Sequence, residues 1–92
     1  MFVKNVIGSS RFSEPKGYTS WLEYWETQTG LKASECFAKD CYSRNYLVGA
    51  HVQKVFSYDK TWYIIPLCSS CNQRTDYFEV LDSWLVPVPS NL

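Results

Sequence analysis

The sequence predicts a small α+β domain in which an amphipathic helix precedes a β-hairpin, and three observations carry the prediction. Four cysteines fall into two close pairs, Cys36 with Cys41 and Cys68 with Cys71. Between the pairs, two runs of strand character are joined by a polar turn. Ahead of both, a segment with apolar residues at helical spacing opens on a capping signature and closes on a glycine.

Taken in order, Phe2 to Ile7 is short, apolar and β-branched enough for an edge strand, with Gly8-Ser9-Ser10 to end it. Arg11 to Tyr18 contains Pro15 and Gly17 and reads as loop. Ser20 with Glu23 three residues on forms a capping box, because the hydroxyl can accept from the Glu23 amide while the carboxylate reaches back. Trp21, Tyr24, Trp25 and Gln28 then recur on one face, with Leu22 widening it, and Gly30 offers a left-handed stop. The spacing therefore predicts a helix over 20–29 with its aromatic side inward.

From Tyr46 to Phe56 the residues Tyr46, Val48, Ala50, Val52 and Phe56 alternate with Leu47, Gly49, His51 and Gln53, as a half-buried strand requires. Ser57-Tyr58-Asp59-Lys60 is a polar turn, and Thr61-Trp62-Tyr63-Ile64-Ile65 is a second strand that Pro66 closes. A helix can begin at Cys71 and run to about Arg74. Residues 77–86 satisfy both periods, and the reading adopted is a short helix followed by extended chain, which Pro87 and Pro89 prevent from becoming helical again.

These parts belong to one domain spanning 1–92: an N-terminal strand and helix extension (1–34), a core (36–74) and a C-terminal extension (75–92). A chain of 92 residues buries only roughly 60–65% of its unfolded surface and gains from a staple. Four Trp, seven Tyr and five Phe suit a small core filled with few large side chains, the alternative being a surface on which a ligand stacks. Nine Lys+Arg against nine Asp+Glu exclude the long-range cationic field with which unspecific nucleic-acid binders gather their ligand. Lys32, Lys39, Arg44, Lys54, Lys60 and Arg74 still gather modestly around the core, with Asp76, Glu79 and Asp82 after them. No run reaches the ~18–20 apolar residues of a membrane span, and Met1 to Ile7 lacks the pattern of a signal peptide, so a cytoplasmic protein without a membrane partner is expected.

The cysteine spacing is that of a metal site. Four residues separate Cys36 from Cys41 and two separate Cys68 from Cys71. Pairs held together by a hairpin can place four thiolates at the corners of a tetrahedron, the set that structural Zn²⁺ takes at about 2.3 Å. Two disulfides, four unrelated core thiols and a redox Cys-x-x-Cys motif are the competing readings. The first calls for an oxidising compartment, the second leaves the pairing without a reason, and the third calls for a βαβ unit that the pattern lacks.

A cysteine knuckle, a hairpin and a helix opening with a second cysteine pair are, in that order, the parts of a treble-clef zinc finger. Gly49-Ala50-His51-Val52, followed by Tyr63-Ile64-Ile65-Pro66-Leu67-Cys68-Ser69-Ser70-Cys71-Asn72, narrows the likeness. This stretch, about residues 36–74, resembles the zinc-bound branch of the HNH endonucleases. The resemblance implies that His51 stands where the family has its water-activating general base, and Asn72 where it has a ligand of the catalytic divalent cation. Ala50 occupies the position of the other cation ligand, and a methyl group coordinates nothing. Trp62 or Tyr63 falls where the family has an asparagine that orients the histidine. Half of the catalytic set is thus present, and metal-assisted phosphodiester cleavage needs a cation to hold the scissile phosphate. His51 can equally be a core residue, or one that hydrogen-bonds the zinc loops. The function expected is a zinc-binding, non-catalytic module for protein or nucleic acid; the alternative is a metal-dependent nuclease with His51 as base and Asn72 on the cation.

Overall fold

In the computed structural model, residues 1–6, 15–41 and 43–89 are described. Five strands, β1 (Phe2–Asn5), β2 (Leu47–Lys54), β3 (Trp62–Cys68), β4 (Phe78–Glu79) and β5 (Val86–Pro87), form one sheet in the order β4-β1-β2-β3-β5. Every neighbouring pair is antiparallel. Helix α1 (Trp21–Thr29) lies before the hairpin, and the single turn of α2 (Ser69–Asn72) follows it directly. The domain is α+β, and its sheet draws strands from the core and from both extensions. Among the described residues no helix is long and apolar enough to cross a membrane.

Helix α1 forms as its sequence directs. The Ser20 hydroxyl accepts from the Glu23 amide at 3.0 Å. The Glu23 carboxylate reaches back to the amide and hydroxyl of Thr19. At the far end Gly30 adopts φ 72° and donates its amide to the Glu26 carbonyl. Only a residue that tolerates the left-handed region ends a helix this way.

The hairpin divides the interior in two. Ala50 opposes Ile65 and Val52 opposes Tyr63 on one face, whereas His51 opposes Ile64 and Gly49 opposes Pro66 on the other. The first face carries the larger cluster, with Val3, Ala38, Leu67, Phe78, Val80 and three of the cysteines. The second meets α1 through Trp21, Trp25 and Ile64. Gly49 permits the close approach: a Cβ there would lie 2.5 Å from the Leu22 nitrogen and from the Trp21 carbonyl carbon. Trp25 is fully buried and donates its indole N–H to the Trp84 carbonyl at 2.8 Å.

Four expectations are corrected. The first strand ends at Asn5; Ile7 and the Gly8-Ser9-Ser10 terminator lie outside the described residues, as do residues 11–14 of the loop. Tyr46 and Phe56 do not extend β2, for both have positive φ, 53° and 57°, and project into solvent. Pro66 does not end β3. Beyond Ile64 the strand has no ladder to β5, so a missing N–H on that edge costs nothing, and the Pro66 carbonyl instead accepts from the Phe37 amide. Residues 77–86 contain no α-helix. Phe78 (3% exposed) and Val80 (0%) turn inward while Tyr77 (54%) and Leu81 (50%) turn outward. Period two prevails because β1 offers an edge on which Phe78 pairs with Val3. A 3-10 turn at Asp82–Trp84 then leads into β5.

Candidate metal centre

The first cysteine pair is set by a knuckle docked on the sheet through its own backbone. Cys36 is fully buried and its amide donates to the Ser43 carbonyl at 2.7 Å. Phe37 is bonded to Pro66 of β3, and Lys39 donates its amide to the Glu79 carbonyl of β4. A turn closed by Cys41 N–H to Ala38 C=O at 3.0 Å then delivers the second thiol. The other pair comes from the hairpin: Cys68 ends β3 and caps α2, and Cys71 sits within α2.

The two pairs meet. Ligand atoms of Cys36, Cys41, Cys68 and Cys71 all lie within 4.8 Å of one another, and Cys41 Sγ is 3.6 Å from Cys68 Sγ. A tetrahedron with Zn–S bonds of 2.3 Å has edges of about 3.8 Å, so the cluster has the size that one metal ion needs. Burial pushes the Cys36 and Cys71 thiols up from their ordinary range. Burial acts on Cys68 in the same sense, but the Cys71 amide and the thiols of Cys41, Cys71 and Cys36 outweigh it and bring Cys68 to about 7. Cys68 is thus the thiol that gives up its proton readily, and a cation binding the four sulfurs would displace the remaining protons to solvent and stabilise the thiolates together.

Two residues that sequence reasoning missed hold this arrangement. Asn5 Nδ2 donates to the carbonyls of Cys71 at 2.9 Å and Arg74 at 3.0 Å, tying β1 to the turn that carries the last thiol. The signal was present: Asn5 follows Val3 by two, which puts a polar side chain on the face of the strand that Val3 turns to the core. Arg74 lies over the Phe78 ring, takes both oxygens of Asp40 from the knuckle, and also pairs with Asp76. No pattern in the chain joins Arg74 to Asp40.

His51 and Asn72 stand on different elements, β2 and α2. His51 is buried on the α1 face, its ring edge-on to Trp21 at 4.8 Å and to Trp62 at 6.2 Å between centroids. Asn72 is exposed on α2, whose Cys71 belongs to the opposite cluster. Burial lowers the His51 pKa and favours the neutral ring. Ala50 faces the cysteine side, opposite Ile65. Among the described residues the four cysteines are the one group of three or more His, Cys, Asp or Glu side chains gathered closely enough to hold a metal ion. Most of the basic residues noted in the sequence are ion-paired, Lys32 with Glu26, Lys39 with Glu79, Lys54 with Asp59 and Asp82, and Arg74 with Asp40 and Asp76.

The chain matches no family model, and neither the curated proteins nor the solved structures gave a match.

Proposed function

We propose that this chain is a zinc-stapled module of treble-clef type, related in plan to the HNH domains, with a non-catalytic binding role towards protein or nucleic acid. The observation that carries the reading is the convergence of four thiols, from a knuckle and from a strand-helix junction, within 4.8 Å. The order of parts supports the treble-clef plan: knuckle 36–41, hairpin β2–β3, then α2 with the second pair. Four sulfur donors favour Zn²⁺ over hard cations, which take oxygen ligands. Cys36, Cys41, Cys68 and Cys71 would hold the ion, and bound there it supplies cross-linking and no open coordination position. A second ion for phosphodiester chemistry lacks support, since His51 faces α1 and Ala50 offers no donor.

Elemental analysis of the purified chain tests the metal, with one zinc per chain expected. Cobalt substitution should give intense thiolate-to-metal absorption and tetrahedral visible bands, and their absence would overturn the site. Incubation with DNA or RNA and Mg²⁺, Mn²⁺ or Ni²⁺ tests the rest. Cleavage that disappears in His51→Ala while the fold persists would replace the binding role with the nuclease.

A further inference from the structure

We propose that Cys41 is a site of reversible thiol oxidation, at which the metal centre opens by forming a disulfide with Cys68. The proposal rests on the reading of the four cysteines as metal ligands and adds a specific order of events to it.

Three observations single out this pair. Cys41 is partly exposed, whereas Cys36, Cys68 and Cys71 are buried, so a small oxidant in solvent meets Cys41 first. Its sulfur is 3.6 Å from that of Cys68. A disulfide requires about 2.05 Å, so an approach of roughly 1.5 Å completes the bond. The backbone decides which partner moves. Cys36 is bonded to Ser43, Cys68 is in register with Leu47 in the β2–β3 ladder, and the Cys71 carbonyl is held by Asn5. Among the described residues the backbone bond of Cys41 is local, from its amide to the Ala38 carbonyl three residues back, while the pins on its turn fall on the preceding Lys39 and Asp40.

With hydrogen peroxide as oxidant, the Cys41 thiolate attacks one peroxide oxygen and the O–O bond breaks. The departing hydroxide takes a proton to become water, leaving Cys41 as the sulfenic acid. Cys68 Sγ then attacks the Cys41 sulfur, the S–S bond forms, the S–O bond breaks, and hydroxide leaves as a second water after protonation. Two thiols are oxidised by two electrons and one peroxide is reduced to two waters. Cys36 and Cys71 remain, and two donors do not retain a tetrahedral ion. A dithiol reductant restores the pair, after which zinc can bind again.

The experiment treats the zinc-loaded full chain with equimolar hydrogen peroxide and follows zinc release with a chromogenic chelator. Peptide mass mapping without reduction identifies the first disulfide. One zinc released per Cys41–Cys68 bridge, with uptake recovered after dithiothreitol, is the expected result. Cys41→Ser should release zinc at least tenfold more slowly under the same treatment. A first bridge between Cys36 and Cys71, or an unchanged rate in Cys41→Ser, overturns the proposal. Should that variant not fold, the order of iodoacetamide labelling in the parent chain answers the same question, Cys41 being modified first if the proposal holds and not if it fails. A chain that takes up no zinc at the outset overturns the metal reading, while mapping the first disulfide in that metal-free chain still decides the pairing.

Discussion

Asn5 and Cys71, 66 residues apart, are joined by a hydrogen bond of 2.9 Å from the Asn5 side-chain amide to the Cys71 carbonyl, and the same amide holds the Arg74 carbonyl at 3.0 Å. The first strand thereby clamps the backbone that presents the last thiol. Asn5→Ala removes the donor from both carbonyls; the Cys71 carbonyl keeps the Arg74 amide at 3.2 Å, so the cost should fall at the lower end of the about 1–3 kcal/mol that an unpartnered buried polar group carries. Zinc transfer to a competing chelator should be faster in the variant. An unchanged transfer rate and melting temperature would show that the clamp contributes nothing to the centre.

Removal of the metal should abolish the fold around it. Structural zinc in finger peptides contributes on the order of 10–16 kcal/mol at neutral pH, as much as the whole stability of a small domain. Chelation should collapse the amide dispersion of residues 36–41 and 68–74 in NMR spectra, and added zinc should restore it. Native-like spectra after complete chelation would contradict this.

Trp25 is fully enclosed between α1 and the sheet and bonded to the Trp84 carbonyl. Truncating a buried tryptophan typically costs about 3–5 kcal/mol. Trp25→Ala should therefore melt far below the parent. A shift of one or two degrees in a thermal scan would mean that this side of α1 carries little of the packing.

Gly49→Ala is a sharper probe of the same interface. Its Cβ would meet backbone atoms of Trp21 and Leu22 at 2.5 Å, and backbone yields less readily than a side-chain tip. Overpacking of this kind costs about 1–3 kcal/mol, and α1 must shift away from β2. Denaturant titration of the variant reads the cost, and a midpoint equal to the parent's would exclude the close approach.

Burial lowers the His51 pKa below its usual 6.5, and this sets the sign of a pH effect. In the unfolded chain the ring takes a proton near its ordinary pKa; in the folded chain it does so only at lower pH. Stability contributed by the neutral ring is present above the unfolded pKa and is lost as pH falls through 6.5 towards the folded pKa. His51→Gln should flatten the stability change between pH 7 and 5 relative to the parent, measured with zinc saturating in both. A parallel pair of curves would show that His51 titrates alike in both states.

Much of this domain was legible in the chain because the signals are local. The capping of α1 depends on Ser20 and Glu23, three residues apart, and its end on Gly30, whose lack of a Cβ admits a positive φ. The four thiols were legible for a related reason: each pair closes within a few residues, and a hairpin needs only its own alternation to bring its two ends, and hence both pairs, together. Residues 77–86 were different, because Tyr77, Phe78, Leu81, Trp84 and Leu85 suit a helix while Phe78, Val80, Trp84 and Val86 suit a strand, and nothing local decides between them until the edge of β1 is available. The choice belongs to a strand more than 70 residues earlier in the chain, which pairs Val3 with Phe78. Pro66 could remain within β3 only because β5 pairs no further along than Ile64 on that side. Side-chain direction was likewise a tertiary decision for His51: once α1 packs over Gly49, the ring is committed to the Trp21 side, while Ala50 and the thiols share the other. Local propensities and spacings thus determined α1, the hairpin and the four cysteines that could hold a metal ion. Long-range pairing and burial determined the last strands, the Asn5 clamp and the side of the sheet on which the lone histidine lies.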